Sequence, residues 1–287
     1  FLNGYDYRKA VETQKNGPQD ALIRSHLEEY QKRGIRFVRD GGDHYGVSRR
    51  TAQLATEYGI DYRTPVFAIY KEGHYGKIVG KSFSDMKEYH RRVLEAAEEG
   101  ADFIKIMTTG LLDFEDHGKI TGTPLSAAEV KEMVHIAHEE GFAVMSHTNG
   151  NYGVQAAVEA GVDSIEHANY MDEETLSMLA DSKSVWVPTL VTVRNLMDCG
   201  RFENEILSSI IRTGEENLKK AFRKKVHVAV GSDAGAFKVL HGKGVEDECR
   251  AFFDILGETP EVCAWMEEGE KRIRTLFRHG SSNLIQV

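Results

Sequence analysis

Short apolar runs that end on one polar, chemistry-bearing side chain recur along this chain, separated by stretches with helical spacing. Four stand out: Phe103-Ile-Lys-Ile-Met107, Phe142-Ala-Val-Met-Ser-His147, Val162-Asp-Ser-Ile-Glu-His167 and Val226-His-Val-Ala-Val-Gly-Ser-Asp233. A brief β-rich apolar run reads as a buried parallel strand, apolar on both faces because both are covered. The stretches between them carry apolar residues three and four apart and stop at glycine, as amphipathic helices do. Alternation of this kind predicts βα units around a parallel sheet.

Along the chain, Gln19 to Arg33 predicts a helix (Leu22, Ile23, Leu27, Tyr30) that stops at Gly34, followed by a strand over Ile35 to Asp40. A helix over Ser48 to Tyr58 leads to a strand over Tyr62 to Tyr70, and a helix over Ser84 to Glu99 feeds the Phe103 strand. Ser126 with Glu129 three residues on predicts a capping box for the helix that ends at Glu140, before the strand that ends on His147. Tyr152 to Ala160 and Asp172 to Asp181 are helical, with strands at Ser164 to His167 and Val185 to Thr189. Glu203 to Lys224 is a longer helix before the Val226 strand, and helices over Glu246 to Leu256 and Pro260 to Arg278 close the chain. Residues 1 to 17 read as a loop, with turn signals at Asn3-Gly4 and Asn16-Gly17.

This pattern gives an α/β fold, a (β/α)8 barrel. In that architecture the C-terminal ends of the strands form the active-site face. No linker or composition shift divides residues 1–287, so a single barrel domain is expected, without a clear flanking β-sandwich. Seven strands are visible, and a clear helix precedes the first. We therefore expect the barrel's first strand to lie upstream of Phe1.

Composition narrows the partners. A formal net charge of −9 gives no electrostatic reason to expect a nucleic acid or an acidic membrane. No apolar run approaches a membrane span, and no signal-peptide pattern opens the sequence. Cys199, Cys249 and Cys263 are odd in number and far apart, which fits a reducing, cytoplasmic setting better than a disulfide frame or a zinc finger. A small-molecule substrate is the expected partner, and a homo-oligomer is compatible with everything above.

The chemistry lies at the strand ends. Lys105, flanked by Ile104 and Ile106, should point away from them into the barrel or its mouth, where a free ammonium is costly. His147 and His167 sit one βα unit apart, and Asp233 stands among small residues in Gly231-Ser-Asp-Ala-Gly235. Two imidazoles and a carboxylate suit zinc and its neighbours. Taken singly, each has a plainer reading: an ion-paired lysine, core histidines, a capping aspartate.

Six segments in register resemble the amidohydrolase superfamily, in the branch of Xaa-Pro dipeptidases and imidazolonepropionase-like hydrolases. They are Val38-Arg-Asp-Gly-Gly42, Ile104-Lys-Ile-Met-Thr-Thr-Gly110, Ser146-His-Thr-Asn-Gly150, Ala160-Gly-Val-Asp-Ser-Ile-Glu-His167, Val187-Pro-Thr-Leu190 and Gly231-Ser-Asp-Ala-Gly235. The resemblance implies a lysine carbamate, formed from carbon dioxide on Lys105, that bridges divalent cations, one or two per chain and of zinc type. It implies His147 and His167 as ligands, Asp233 as weak ligand and proton shuttle, and a metal-activated hydroxide that cleaves a C–N bond in an amide, cyclic amide or dipeptide-like substrate. It also implies a His-x-His pair at the end of a first strand; no such pair occurs in the N-terminal segment.

His74, in Glu72-Gly-His-Tyr-Gly76, resembles the branch's Gly-Gly-His-Gly loop and is the sequence's candidate for gripping the substrate carbonyl; Tyr170 is a second substrate-binding candidate. Glu166 precedes His167 and should point the other way, so it reads as structural. Lactone or ester hydrolysis fits the same site. A Schiff-base aldolase using Lys105, and a degenerate barrel serving as a binding module, are the alternatives from other classes.

Overall fold

The computed structural model describes residues 4–279. Its strands lie in two parallel sheets that follow barrel order. In the smaller sheet, β1 (Phe37–Arg39) pairs with β2 (Asp61–Arg63). The larger has β3 (Ala68–Lys71), β4 (Gly80–Phe83), β5 (Ile104–Met107), β6 (Val144–Thr148), β7 (Ser164–His167) and β8 (Val185–Val187), in the order β4-β3-β5-β6-β7-β8. The run predicted as one strand over Tyr62 to Tyr70 is broken. Val66 takes φ 66°, so β2 pairs back to β1 while β3 pairs forward to β5. The break leaves one edge of β3 open, and β4, not anticipated from the sequence, pairs along it.

Val226 to Val230 is not a regular strand. It is held beside β8 by a single bridge at Trp186 and Val228, with the Trp186 N–H donating to the His227 carbonyl at 2.8 Å and the Ala229 N–H to the Trp186 carbonyl at 3.0 Å. Residues 4–17 are not simply loop either. Helix α1 (Tyr7–Gln14) forms there, with the Asp6 carboxylate accepting from the Lys9 N–H at 3.1 Å, an N-cap that the turn-rich reading overlooked. The expected strand ahead of Phe1 lies outside the described residues.

Helices fill the connections: α2 (Asp20–Lys32), α3 (Val47–Ala55), α4 (Met86–Glu98), α5 (Ala127–Glu139), α6 (Asn151–Ala160), α7 (Glu173–Ala180), α8 (Val191–Arg194), α9 (Asn204–Lys224), α10 (Lys243–Leu256) and α11 (Pro260–Leu276). Their starts follow local chemistry. Ser126 and Glu129 close the capping box of α5, Asp172 caps α7, and α11 opens on Thr259 with Pro260 in its first turn. None of the described helices is long and apolar enough to cross a membrane.

The continuous apolar runs are explained by burial on both strand faces. Ile104, Ile106, Val144 and Ile165 pack outward against helix residues such as Val93, Val134, Val154, Leu176 and Phe252. Phe103, Met145, Val185, Val187 and Ala229 pack inward on one another, with Ile273 and Phe277 from α11 and beyond. Phe277 meets Phe103 edge-on at 5.2 Å, so the barrel is stoppered at its N-terminal end. A Cβ on Gly269 would stand 1.7 Å from the Val228 carbonyl oxygen, and only a glycine lets α11 approach so closely. What remains of the interior, at the opposite end, is polar.

Candidate metal centre

Alternation along β5 puts Phe103 and Lys105 on the inner face, and Lys105 is 7% exposed. Its ammonium has no hydrogen-bond or ion-pair partner among the described residues. Burial drives its pKa below the usual lysine value, against the pull of the Glu166 and Asp233 carboxylates, and the Arg39 guanidinium works in the same direction as burial. Burial thus makes the neutral amine easier to reach than on a lysine in water. Glu166 is itself committed: its Oε1 accepts from Arg39 Nη2 at 3.0 Å and from the Ser164 hydroxyl at 2.6 Å. The same Arg39 lies over the Phe277 ring at 4.0 Å, so Glu166 is held in an ion pair, but it does not point away from the site as expected: it faces the interior near Lys105.

His147 continues the inner face of β6 and is 4% exposed. His167 reaches the same space by a different route. Simple alternation from Glu166 would send it toward the helices, but it takes φ 70° and sits at the centre of a three-residue turn closed by the Ala168 N–H on the Glu166 carbonyl at 3.0 Å. The indole N–H of Trp186 donates to the His167 carbonyl at 2.8 Å and holds the turn. The two imidazoles meet edge to face, with ring centroids 4.8 Å apart.

Each imidazole spends one nitrogen on the protein. His147 Nε2 donates to the Gly110 carbonyl at 3.0 Å; a carbonyl only accepts, so the proton is on Nε2 and the lone pair on Nδ1. His167 Nδ1 lies 2.6 Å from the Thr189 hydroxyl, whose own proton goes to the Pro188 carbonyl at 2.7 Å. That hydroxyl accepts from Nδ1–H, which leaves the lone pair on Nε2. Burial, reinforced by neighbouring positive charge, lowers both imidazoles to about 3. Both are neutral, tautomerically fixed, and have one lone pair to give.

Asp233 ends the Val226 segment with φ 53°. Its side chain reaches solvent within the mouth yet sits deep among protein atoms, and this desolvation raises its pKa, opposed by Lys105 and His147. Among the described residues, nine non-glycine positions take positive φ, and His167, Ala168, Tyr170, Thr189 and Asp233 of these are at this end of the barrel. Such backbone costs on the order of 1–3 kcal/mol per residue and persists where surrounding structure over-determines it. One such support is Glu248 of α10, fully buried, whose two carboxylate oxygens accept from the Leu190 and Val191 N–H groups, each at 2.9 Å.

The other sequence candidates fall elsewhere. His74 bonds through Nδ1 to the Thr123 carbonyl at 3.0 Å, and its ring makes no contact with either imidazole among the described ring contacts. Tyr170 packs with Leu112, Phe114 and Phe202 under the loop after β5, with the His117 ring edge-on at 5.0 Å. Sequence reasoning missed Tyr75, whose ring lies 4.9 Å from that of His147, and left Thr189 unassigned although its Pro-Thr segment was noticed. Neither has a signal in hydropathy, since both are single polar groups in turns.

Among the described residues, no three His, Cys, Asp or Glu side chains close on one point that could hold a cation. The donor set completes itself only if Lys105 contributes an oxygen ligand, and its buried, unpartnered amine fits that requirement. With it, two imidazole nitrogens and nearby Asp233 suit a borderline divalent cation.

Comparison with known proteins gives the family and the fold. Residues 19–267 match the profile of the Amidohydrolase family. Ochratoxinase of Aspergillus niger is 30% identical over 154 residues, which are 52% of this chain and 32% of that protein. An uncharacterized protein of Mycobacterium tuberculosis, Rv2915c, is 25% identical over 174 residues, 58% of this chain and 45% of that one. The matched stretches thus span less than half the length of these relatives. Among solved structures, a Xaa-Pro dipeptidase with methionine in its active site superposes with a TM-score of 0.71 at 24% identity, covering 90% of this chain and 69% of that one. A prolidase complexed with N-methylphosphonate-L-proline gives 0.72 at 23% identity, with 94% and 72% covered, and A. niger ochratoxinase 0.72 at 19%, with 91% and 64% covered. These likenesses establish the shared barrel fold.

Proposed function

The chain belongs to the amidohydrolase family, and from that premise we propose that it is a metal-dependent hydrolase of C–N bonds in small amide, cyclic amide or dipeptide-like molecules. The observation that carries the reading is the pair of imidazoles fixed in complementary tautomers by Gly110 and Thr189, each with one lone pair uncommitted. The names of the matched relatives, a dipeptidase and a prolidase among them, support the bond class.

His147 Nδ1 and His167 Nε2 would hold a divalent cation of zinc type, with Lys105 as a third donor and Asp233 as a weaker fourth. A cation there supplies two things: it acidifies a water and polarises the substrate carbonyl. The rest belongs to the chain. The neutral Lys105 amine adds to carbon dioxide, forming an N–C bond and releasing one proton, and thereby turns a buried base into an anionic oxygen donor. Asp233 accepts the proton of the attacking water on a carboxylate oxygen and delivers it to the leaving nitrogen.

A Schiff-base reading uses the same low-pKa amine but gives the two metal-ready imidazoles no task. Borohydride with a carbonyl substrate would trap such an adduct on Lys105, and chelation would leave that activity intact. The hydrolase reading is tested by assaying zinc-loaded protein against dipeptides, N-acyl amino acids, lactams and lactones, with metal content measured in parallel. His147→Ala and His167→Ala should each lose cation and turnover together. Full occupancy in both variants would overturn it.

A further inference from the structure

The loop after β3 is folded so that its histidine and its tyrosine point to different places. Gly73 and Gly76 take φ 80° and 138°, and a Cβ on Gly76 would stand 2.5 Å from the Tyr70 Cβ. The loop is therefore pressed onto β3 and cannot be rotated to exchange the two side chains. His74 is spent on the Thr123 carbonyl. Tyr75 instead lays its ring 4.9 Å from that of His147, at 45°, on the imidazole that is 4.8 Å from His167. Its hydroxyl has no hydrogen-bond partner among the described residues.

Resting on the hydrolase reading above, we propose that Tyr75, not His74, is the catalytic donor that grips the substrate carbonyl, its phenolic O–H hydrogen-bonding the oxygen as negative charge builds there. The phenol forms no bond to substrate and transfers no proton; it donates one hydrogen bond that strengthens in the transition state. A phenol also brings its own apolar ring. Tyr75 thus narrows the mouth beside His147 and favours substrates with a compact group next to the scissile carbonyl.

Zinc-loaded wild type, Tyr75→Phe and His74→Ala are compared on the N-acyl amino acid or dipeptide that the wild type cleaves best. Calorimetric titration of all three with N-methylphosphonyl-L-proline, an oxyanion mimic, runs beside the assay. Tyr75→Phe keeps the ring, so the fold and zinc content should persist while kcat falls about 100-fold with KM within a few-fold. The phosphonyl compound should bind the same variant about tenfold more weakly. His74→Ala should match wild type in both measurements. Unchanged kcat or unchanged phosphonyl binding in Tyr75→Phe overturns the proposal, as does a loss of zinc along with activity. A wild type that holds no cation and cleaves nothing refutes the hydrolase reading itself, and is distinguished by the metal analysis.

Discussion

Thr189 shows how much of a metal site can depend on a side chain that is not a ligand. Its hydroxyl is donated to the Pro188 carbonyl, so toward His167 it can only accept, and this places the imidazole lone pair on Nε2. Thr189→Val keeps shape and β-branching but removes the acceptor. The expected result is a cation affinity about 10–100-fold lower, read by zinc titration of metal-free protein. Equal affinity would mean that the tautomer is set by something other than Thr189. Lys105 gives a second test at the same scale. Lys105→Ala should lose cation and turnover, and short carboxylic acids in the buffer should restore part of both by occupying the vacated space with an oxygen donor. Restoration by amines instead would point to the amine itself as the functional group. Lys105, His147, His167 and Asp233 could be singled out as candidates in the sequence because each interrupts or ends an apolar run. The orientation of the two imidazoles could not, since it depends on partners 37 and 22 residues away in the chain.

At the scale of elements, periodicity located the helices and inner strands but not the places where backbone geometry departs from its own pattern. The Tyr62 to Tyr70 run looks continuous, yet Pro65 and the positive φ of Val66 split it into two strands with different neighbours. The Val226 segment is the reverse: apolar enough for a strand, but held by one bridge because α11 presses against it. Gly269 makes that contact possible. On helix propensity alone Gly269→Ala should stabilise α11 by about 1 kcal/mol. Here the added Cβ would overlap the Val228 carbonyl oxygen, at 1.7 Å, and backbone cannot yield as a side chain tip would. We expect the substitution to destabilise by about 1–3 kcal/mol, measured by urea unfolding. Because the same segment carries Asp233, kcat should fall in the folded fraction as well. A gain in stability would show that α11 can shift freely, and that its packing does not set the Val226 segment.

Across the whole molecule, stability should depend on pH through Glu248, which joins α10 to the turn that carries Thr189. Burial raises its pKa from 4.5 to about 8, despite the two backbone N–H groups that favour the ionised form. In the folded protein Glu248 therefore keeps a proton that the unfolded chain releases above pH 4.5. The folded state binds more protons across this window, so the contribution of Glu248 is fully present below about pH 4.5. It is lost as pH rises toward about 8, with a slope of at most about 1.4 kcal/mol per pH unit. Glu248→Gln cannot ionise, and this contribution to the slope disappears. The amide offers one acceptor oxygen for two donors, so the variant should also start lower, by about 1–3 kcal/mol at pH 5. The two stability curves, from urea unfolding of metal-free protein between pH 5 and pH 8, should therefore converge as pH rises and cross before pH 8, since about 3.5 kcal/mol is lost over this range against a starting gap of about 1–3 kcal/mol. Parallel curves would mean that Glu248 is ionised in the folded state throughout, its charge held by the Leu190 and Val191 N–H groups. In that case the turn at Thr189 rests on a fixed anion, and its geometry would not respond to pH in this range.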